Sequence, residues 1–232
     1  MAVLDTFVAA CVASATSFVH TLHTELPMTI QQTPGQVLPA RSAAKMEAAM
    51  AVGAFAIGTG EFAIMGLMPD IAQNLGLSEP QVGHAISAYA LGVMVGAPLL
   101  AILGAKLLRK HMLLLLMGLY ALGNFATAFT PTFGSLVAFR FISGLPHGAY
   151  FGIAAVVASS MVPTDKRAGA VARVMMGLTL AMLLGNPIAT FLGQHLGWRS
   201  AFALVSVIAL LTIALVWQFV PHRHDEQRSD PR

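Results

Sequence analysis

The sequence has little charge and almost no cysteine. Of its 232 residues only 10% are charged and 56% are hydrophobic, which gives a mean hydropathy of +0.74. A soluble domain of this size cannot bury so much apolar surface, so an ordinary soluble protein is excluded. The single cysteine, Cys11, cannot form an internal disulfide, and no cluster of Cys or His has the spacing of a zinc or haem site. We therefore expect no cofactor and no metal.

The sequence also lacks a basic stripe. Its pI is near 9.4, yet the net charge of +3 is spread over apolar segments. It does not provide the run of cations that a phosphate backbone requires. Nucleic acid is therefore excluded as a partner, and the lipid bilayer is the expected surrounding.

Long apolar runs are what the sequence has in abundance. A helix needs about 20 mostly apolar residues to cross about 30 Å of hydrocarbon, because only intrahelical hydrogen bonds satisfy the backbone there. Six runs meet this requirement, and we number them span 1 to span 6: residues 46–68, 81–103, 112–129, 136–161, 170–192 and 200–220. The connecting loops are short and rich in breakers, so successive spans are expected to be antiparallel neighbours. The sequence thus predicts an all-α membrane protein with a six-helix bundle over residues 46–221.

Lysine and arginine are concentrated in alternate loops. They precede span 1, follow spans 2 and 4, and recur in the tail: Arg41 and Lys45; Lys106, Arg109 and Lys110; Lys166 and Arg167; Arg223, Arg228 and Arg232. Of the remaining loops, only the one between spans 5 and 6 has a basic residue, Arg199. Because cytoplasmic loops carry the excess of basic residues, both termini are predicted to lie in the cytoplasm of a bacterial inner membrane.

The two ends are predicted to be separate from the bundle. Residues 1–45 contain an apolar face compatible with an amphipathic surface helix, followed by a proline-rich linker. They have no basic n-region of a signal peptide, and the alternative is a dispensable extension upstream of a start near Met46. Residues 222–232 form a charged cytoplasmic tail.

Two charges lie deep inside the predicted spans. Glu61 in span 1 and Arg140 in span 4 each cost at least about 2.5–3.5 kcal/mol on insertion scales. At 1.5 Å per residue they lie roughly 12 Å and 9 Å from the same membrane surface, so the opposite charges share a depth. We expect a common polar cavity in which Glu61 carries protons and couples to Arg140 directly or through water. The alternatives are a static ion pair and an Arg140 that snorkels to the headgroups.

His147 and several glycines complete the candidate residues. His147 lies on the same face of span 4 as Gly144 and Gly148. It is either a proton relay or a histidine that packs between helices. Glycines recur at spacings of four or eight in spans 2, 4 and 5, a pattern typical of close helix crossings: Gly92, Gly96, Gly144, Gly148, Gly152, Gly177, Gly185 and Gly193. Pro187 predicts a bend in span 5.

Several of these stretches, taken in order along the chain, carry a family resemblance. They are residues 60–66 (GEFAIMG), 89–92 (YALG), 96–99 (GAPL), 140–148 (RFISGLPHG), 185–187 (GNP) and 197–199 (GWR). Together they resemble the major facilitator superfamily in its twelve-helix drug:proton antiporter branch, and especially the arabinose-efflux-like sugar permeases. The resemblance covers about residues 46–221.

The resemblance implies one half of a major facilitator fold, built from two three-helix inverted repeats. It also implies alternating access between two six-helix halves, with substrate exchanged for protons. It assigns residues to three motifs: Arg140, Gly144 and Gly148 to the proton-translocation motif of span 4; Gly177, Gly185 and Pro187 to the export motif of span 5; Lys106, Arg109 and Lys110 to the gating loop. That loop lacks the acidic residue found in much of the superfamily, which weakens the case for a charge relay there.

Two functions remain open at this point. One is a half-size efflux transporter for a sugar or drug, coupled to protons, which needs a second six-helix unit from another copy or a separate chain. The other is a non-transporting membrane remnant or assembly subunit of the same fold. An enzyme is not expected, because the spans hold no catalytic pair beyond Glu61 and the histidines.

Overall fold

The computed structural model describes residues 37–104 and 107–221. The predicted amphipathic helix and linker within residues 1–36, the gating-loop residue Lys106 and the charged tail at 222–232 lie outside the described residues. Every regular element within the described residues is helical.

Six of the described helices are long and apolar enough to cross a membrane, which confirms the predicted all-α fold. Span 1 is Ala40–Gly66, span 2 Glu79–Gly104, span 3 Arg109–Ala128, span 4 Phe133–Ser160, span 5 Thr164–Leu196 and span 6 Arg199–Phe219.

The ends of the spans differ from the prediction. Spans 1 and 5 each begin six residues earlier than predicted, so residues 40–45, expected in the extension, are helical. The cause is physical, because a helix continues beyond the apolar run for as long as its polar turns can project into water. Span 1 begins immediately after Pro39, whose backbone is not helical (φ −53°, ψ 142°). Span 4 begins at a capping box in which Thr132 and Ser135 bond to each other's backbone N–H.

A short helix, Met68–Leu75, lies between spans 1 and 2. Proline is well tolerated in a first helical turn, and the Asp70 carboxylate there complements the helix dipole. The helix ends at Gly76, which has φ +65°, a left-handed conformation that glycine adopts without steric cost.

Span 5 is irregular near its middle. An α-helix, Arg167–Leu180, is followed by a π-helical turn, Ala181–Gly185, and then by a second α-helix, Asn186–Leu196. The widened turn ends two residues before Pro187, which cannot donate a backbone hydrogen bond and crowds the preceding turn. This irregular backbone lies where the sequence predicted a bend.

Glycines bring spans 2 and 4 into backbone contact. A Cβ added to Gly92 would overlap the carbonyl oxygen of Phe141, and a Cβ added to Gly144 would overlap that of Tyr89. No side chain larger than hydrogen fits at either position, so this row is a close helix crossing. A Cβ added to Gly152, predicted in the same row, would meet nothing within 4 Å, so Gly152 takes no part in the crossing.

A second crossing joins spans 1 and 5. A Cβ on Gly177 would overlap the carbonyl oxygen of Ala51, and a Cβ on Gly185 would overlap the hydroxyl of Thr59. These residues, matched to the export motif, therefore hold span 5 against span 1.

Candidate functional site

Arg140 is completely buried between spans 1, 2 and 6. Its Nη1 donates a 3.0 Å hydrogen bond to the carbonyl oxygen of Gly60. The guanidinium carbon lies 4.3 Å from the centre of the Tyr89 ring and 5.5 Å from that of Phe202. A side chain held in this way does not reach the headgroups, so snorkelling is excluded. The two rings instead provide cation–π contacts in a site with little access to water.

Tyr120 in span 3 binds the same stretch of span 1. Its hydroxyl donates to the carbonyl oxygens of Ala56 and Ile57 at 3.2 and 3.1 Å. Gly60 makes room for it, because a Cβ there would overlap the Tyr120 hydroxyl. Gly60 thus contacts two polar side chains. Its carbonyl accepts a hydrogen bond from Arg140, and its lack of a side chain leaves space for the Tyr120 hydroxyl.

Tyr150 repeats the arrangement two turns earlier along span 1. Its hydroxyl donates a 2.8 Å hydrogen bond to the carbonyl oxygen of Met50. A Cβ on Gly53 would overlap that hydroxyl. Span 1 is therefore a helix whose glycines admit donors from neighbouring spans to its backbone, and Gly60 is one of two such positions, seven residues apart.

Glu61 faces His147. The imidazole Nδ1 lies 3.9 Å from Oε2 of Glu61 and 2.9 Å from the hydroxyl oxygen of Tyr89. The His147 and Glu61 side chains are 15% and 29% exposed, so they form the accessible edge of a buried cluster. The direct ion pair that the sequence left open for Glu61 and Arg140 is not formed. Tyr89 connects the two charges instead, because its ring contacts Arg140 and its hydroxyl bonds to His147.

We call this group the polar cluster: Gly60, Glu61, Tyr89, Arg140 and His147. Of its members, Gly60 and Tyr89 were not predicted as site residues from the sequence. For Tyr89 the available signal was a tyrosine in the middle of an apolar span, since a buried hydroxyl needs a hydrogen-bond partner.

The glycines of span 4 position the cluster. Gly144 lies against the carbonyl of Tyr89, and a Cβ on Gly148 would lie 2.7 Å from the Cβ of Ala97. Both keep span 4 close to span 2. This closeness lets a single tyrosine on span 2 reach two residues on span 4, Arg140 and His147.

Arg140 retains donors beyond its bond to span 1. Its Nε and Nη2 are buried without a hydrogen-bond partner, as is Oδ1 of Asn124 in span 3. Unpaired buried polar atoms cost about 1–3 kcal/mol each, so such atoms in a protein commonly serve a ligand or water. The cluster therefore combines an acid, a histidine and unused guanidinium donors.

An ion pair between spans 1 and 5 was missed entirely. Glu47, only 3% exposed, accepts hydrogen bonds from Nε and Nη2 of Arg173 at 2.5 and 3.0 Å. The prediction treated Glu61 and Arg140 as the only charges within the spans, although Glu47 lies in predicted span 1 and Arg173 in predicted span 5. The available signal was that these opposite charges lie in the first turns of spans that begin on the same side of the bundle.

Arg109 and Lys110 belong to span 3 rather than to the predicted gating loop. The Lys110 side chain is buried, and its Nζ donates a 2.6 Å hydrogen bond to the carbonyl oxygen of Trp217 in span 6. The last carbonyls of a helix have no intrahelical partner, so a cation there is favourable. Lys110 thus ties span 3 to the end of span 6.

Arg199 ties the loops at the other end of the bundle. It donates to Oδ1 of Asn74 at 2.5 Å and to the carbonyl of Thr130 at 2.9 Å, and it stacks on Trp198 at 4.4 Å. Trp198 also donates to Asn74 at 3.2 Å. The stretch matched at residues 197–199 therefore fastens three loops together.

The chain has clear relatives. It matches the model of the family described as Major Facilitator Superfamily over residues 50–232. It is 40% identical to AraJ of Escherichia coli (strain K12) over 188 residues, which covers 81% of this chain and 48% of AraJ. It is 45% identical to the inner membrane transport protein YdhP of the same organism over 173 residues, or 75% of this chain and 44% of YdhP. A protein of Helicobacter pylori (strain P12) named "Probable sugar efflux transporter" is 34% identical over 171 residues, or 74% of this chain and 44% of that protein.

The fold is also similar to that of a solved transporter structure. The solved structure of the proton:xylose symporter XylE superposes with a TM-score of 0.71 at 18% identity, covering 80% of this chain and 46% of that one. The chain spans about half the length of the curated relatives it matches. With six membrane-length helices arranged as in half of such a transporter, this multi-pass membrane protein belongs to the major facilitator superfamily, a family of transporters and not of enzymes.

Proposed function

We propose that this chain moves a small molecule, a sugar or a drug, out of a bacterial cell in exchange for protons, and that it does so together with a second six-helix unit. The observation that carries the proposal is the polar cluster. It places a carboxyl group beside a histidine and next to a buried arginine, inside membrane-spanning helices.

Glu61 and His147 are the proposed proton carriers. A carboxylate in a span is costly, and residues of this kind mark proton and substrate pathways. Their partial exposure gives protons access to them, whereas Arg140 is closed off. The bond from Arg140 to Gly60 places a fixed positive charge one residue from Glu61, which makes the charge state of Glu61 sensitive to small movements of span 4 against span 1.

The uneven burial of the spans supports a second unit. In the apolar stretch of each span, 22% of span 2 and 28% of span 5 are buried inside the bundle. The corresponding shares are 61% for span 1 and 56% for span 3. Lipid covers apolar side chains as well as protein does, so exposure alone does not require a partner. Combined with the half length relative to the relatives, it supports a second six-helix unit against spans 2 and 5.

The orientation follows the basic residues. Among the described residues, Arg41, Lys45, Lys110 and Lys166 lie at the end of the bundle where span 1 begins. We propose that this end faces the cytoplasm, together with both termini. The relative named as an inner membrane transport protein supports the same membrane.

The proposed substrate is small and polar enough to use hydrogen-bond donors. The unused Nε and Nη2 of Arg140 are buried in this conformation, and we propose that they reach a substrate hydroxyl or carbonyl oxygen when the spans move apart. The relative with sugar efflux in its name and the xylose symporter of the same fold favour a sugar, while the drug:proton antiporter resemblance keeps amphiphilic drugs in the test.

Reconstituted vesicles test the proposal. The chain would be purified, its oligomeric state measured by light scattering, and proteoliposomes loaded with pentoses, hexoses or an amphiphilic antibiotic. A pH-sensitive dye then reports proton movement driven by each substrate gradient. We expect a coupled signal that Glu61→Gln abolishes and Glu79→Gln leaves intact, because Glu79 is an exposed carboxylate at the start of span 2.

Two outcomes would contradict the proposal. Unchanged proton coupling in Glu61→Gln would remove the carrier role. A monomer without substrate-dependent proton movement, even when expressed with a six-helix partner, would favour the non-transporting subunit instead.

A further inference from the structure

Tyr89 occupies the centre of the polar cluster. It is 2% exposed, its ring lies under the Arg140 guanidinium, and its hydroxyl is 2.9 Å from Nδ1 of His147. Tyr89 and His147 also meet edge to face, with ring centres 5.9 Å apart. One side chain thus fixes the positions of two candidate site residues.

The hydrogen of the Tyr89 hydroxyl has two neighbours that could accept it, Nδ1 of His147 at 2.9 Å and, in a weaker contact, the hydroxyl oxygen of Tyr120. Within residues 37–104 and 107–221, Nδ1 of His147 is its hydrogen-bond partner. If Nδ1 carried a hydrogen and donated it to the phenol, the phenol's own hydrogen would be buried with only the weaker contact to the Tyr120 hydroxyl oxygen, which is unfavourable. The geometry therefore favours Tyr89 as donor and an unprotonated Nδ1 as acceptor, so that the neutral imidazole carries its hydrogen on Nε2.

The same nitrogen is the one that Glu61 approaches. Oε2 of Glu61 lies 3.9 Å from Nδ1, so the carboxyl and the phenol compete for one atom. The other ionisable groups in and beside the cluster do not compete. Arg140 has its Nη1 on the span 1 backbone, and Tyr120 donates its hydroxyl to carbonyls of the same helix.

We propose that Tyr89 is a positioning residue that holds His147 as the Nε2–H tautomer and so withholds Nδ1 from Glu61. Glu61 gains His147 as a proton acceptor only when the Tyr89 hydroxyl leaves Nδ1. This rests on the proposed function for its use in proton coupling, but the tautomer itself is a property of the folded chain and is measured without transport.

Histidine ¹⁵N NMR in lipid nanodiscs tests the proposal. The chain has eight histidines, so the signal that disappears in His147→Gln assigns His147. In the wild type we expect the Nε2–H pattern. In Tyr89→Phe, which keeps the ring under Arg140 and removes the hydroxyl, we expect the ratio of Nδ1–H to Nε2–H to rise about threefold to tenfold. Phe202→Leu is the matched control, since it alters the second ring on Arg140 and leaves the His147 partners unchanged.

The outcomes separate this inference from the proposed function. A wild-type His147 with its hydrogen on Nδ1 would overturn the inference, and this measurement does not depend on the Tyr89→Phe variant. An unchanged tautomer in Tyr89→Phe would overturn it too. A confirmed tautomer shift in a chain that never moves protons would contradict only the proposed function.

Discussion

Substituting Gly60 by alanine tests the architecture of span 1. A Cβ at this position would overlap the Tyr120 hydroxyl, lie 2.9 Å from Cγ1 of Val205 and lie 3.2 Å from Oδ1 of Asn124. Three spans would have to separate, or Tyr120 would have to leave its carbonyl partners. The substitution therefore disturbs the backbone contacts of span 1 without altering any charge.

The magnitude follows from two unfavourable effects and one favourable effect. Overpacking a tight core costs about 1–3 kcal/mol. Losing the acceptors of a buried hydroxyl costs a further 1–3 kcal/mol or so. Replacing a helical glycine by alanine returns up to about 1 kcal/mol. We expect Gly60→Ala to lower the free energy of unfolding by about 1–6 kcal/mol.

Unfolding in mixed micelles, followed by circular dichroism, measures the effect. Gly118→Ala in span 3 is the control, because nothing lies within 4 Å of its Cβ position; we expect it to be neutral or slightly stabilising. Adding Tyr120→Phe to Gly60→Ala removes the overlapping oxygen, so the double variant should be more stable than the two single effects added together. Equal stabilities of the Gly60 and Gly118 variants would refute the reasoning.

Three further changes probe the other contacts. Arg173→Gln should destabilise more than Glu47→Gln in the same micelles, because it leaves a buried carboxylate unpaired whereas the half-exposed arginine can be solvated; the reverse order would contradict this. Gly144→Ala should separate spans 2 and 4 and destabilise by about 1–3 kcal/mol, while Gly152→Ala should not, and similar melting of both would be inconsistent with the crossing. Arg199→Lys keeps the charge but loses the two-pronged donation, so limited proteolysis should cut the loops it fastens faster than in the wild type; an unchanged digestion rate would mean that the loops hold without it.

The membrane helices and the depth of the charges were predictable from the sequence. In hydrocarbon the backbone has to bond within its own helix, so an apolar run of sufficient length is almost bound to be a span. The same reasoning placed Glu61 and Arg140 at a shared depth. It overlooked Glu47 and Arg173 because a charge near the end of an apolar run reads as part of a loop.

The pairing within the site was not predictable, because depth along a helix says nothing about rotation around its axis. Successive side chains of a helix point about 100° apart around its axis. A backbone carbonyl instead runs along the axis, so the Gly60 carbonyl and the Glu61 side chain meet different neighbours. Arg140 bonds to Gly60, and His147, two turns further along span 4, faces Glu61. The packing of span 4 against spans 1 and 2 decides this, and sequence reasoning about single helices cannot predict it.

Glycine is what connects packing to chemistry in this bundle. Sequence spacing alone assigned the glycine rows to close crossings and nothing more. In the structure, Gly144 brings span 4 against Tyr89, and Gly60 admits the hydroxyl of Tyr120 to span 1. Without these hydrogens in place of side chains, neither phenol would reach its partner, and Arg140 would lose the ring beneath it. The glycines therefore determine where the costly polar groups lie. An alanine at either position should disturb the site although every charged residue is still present.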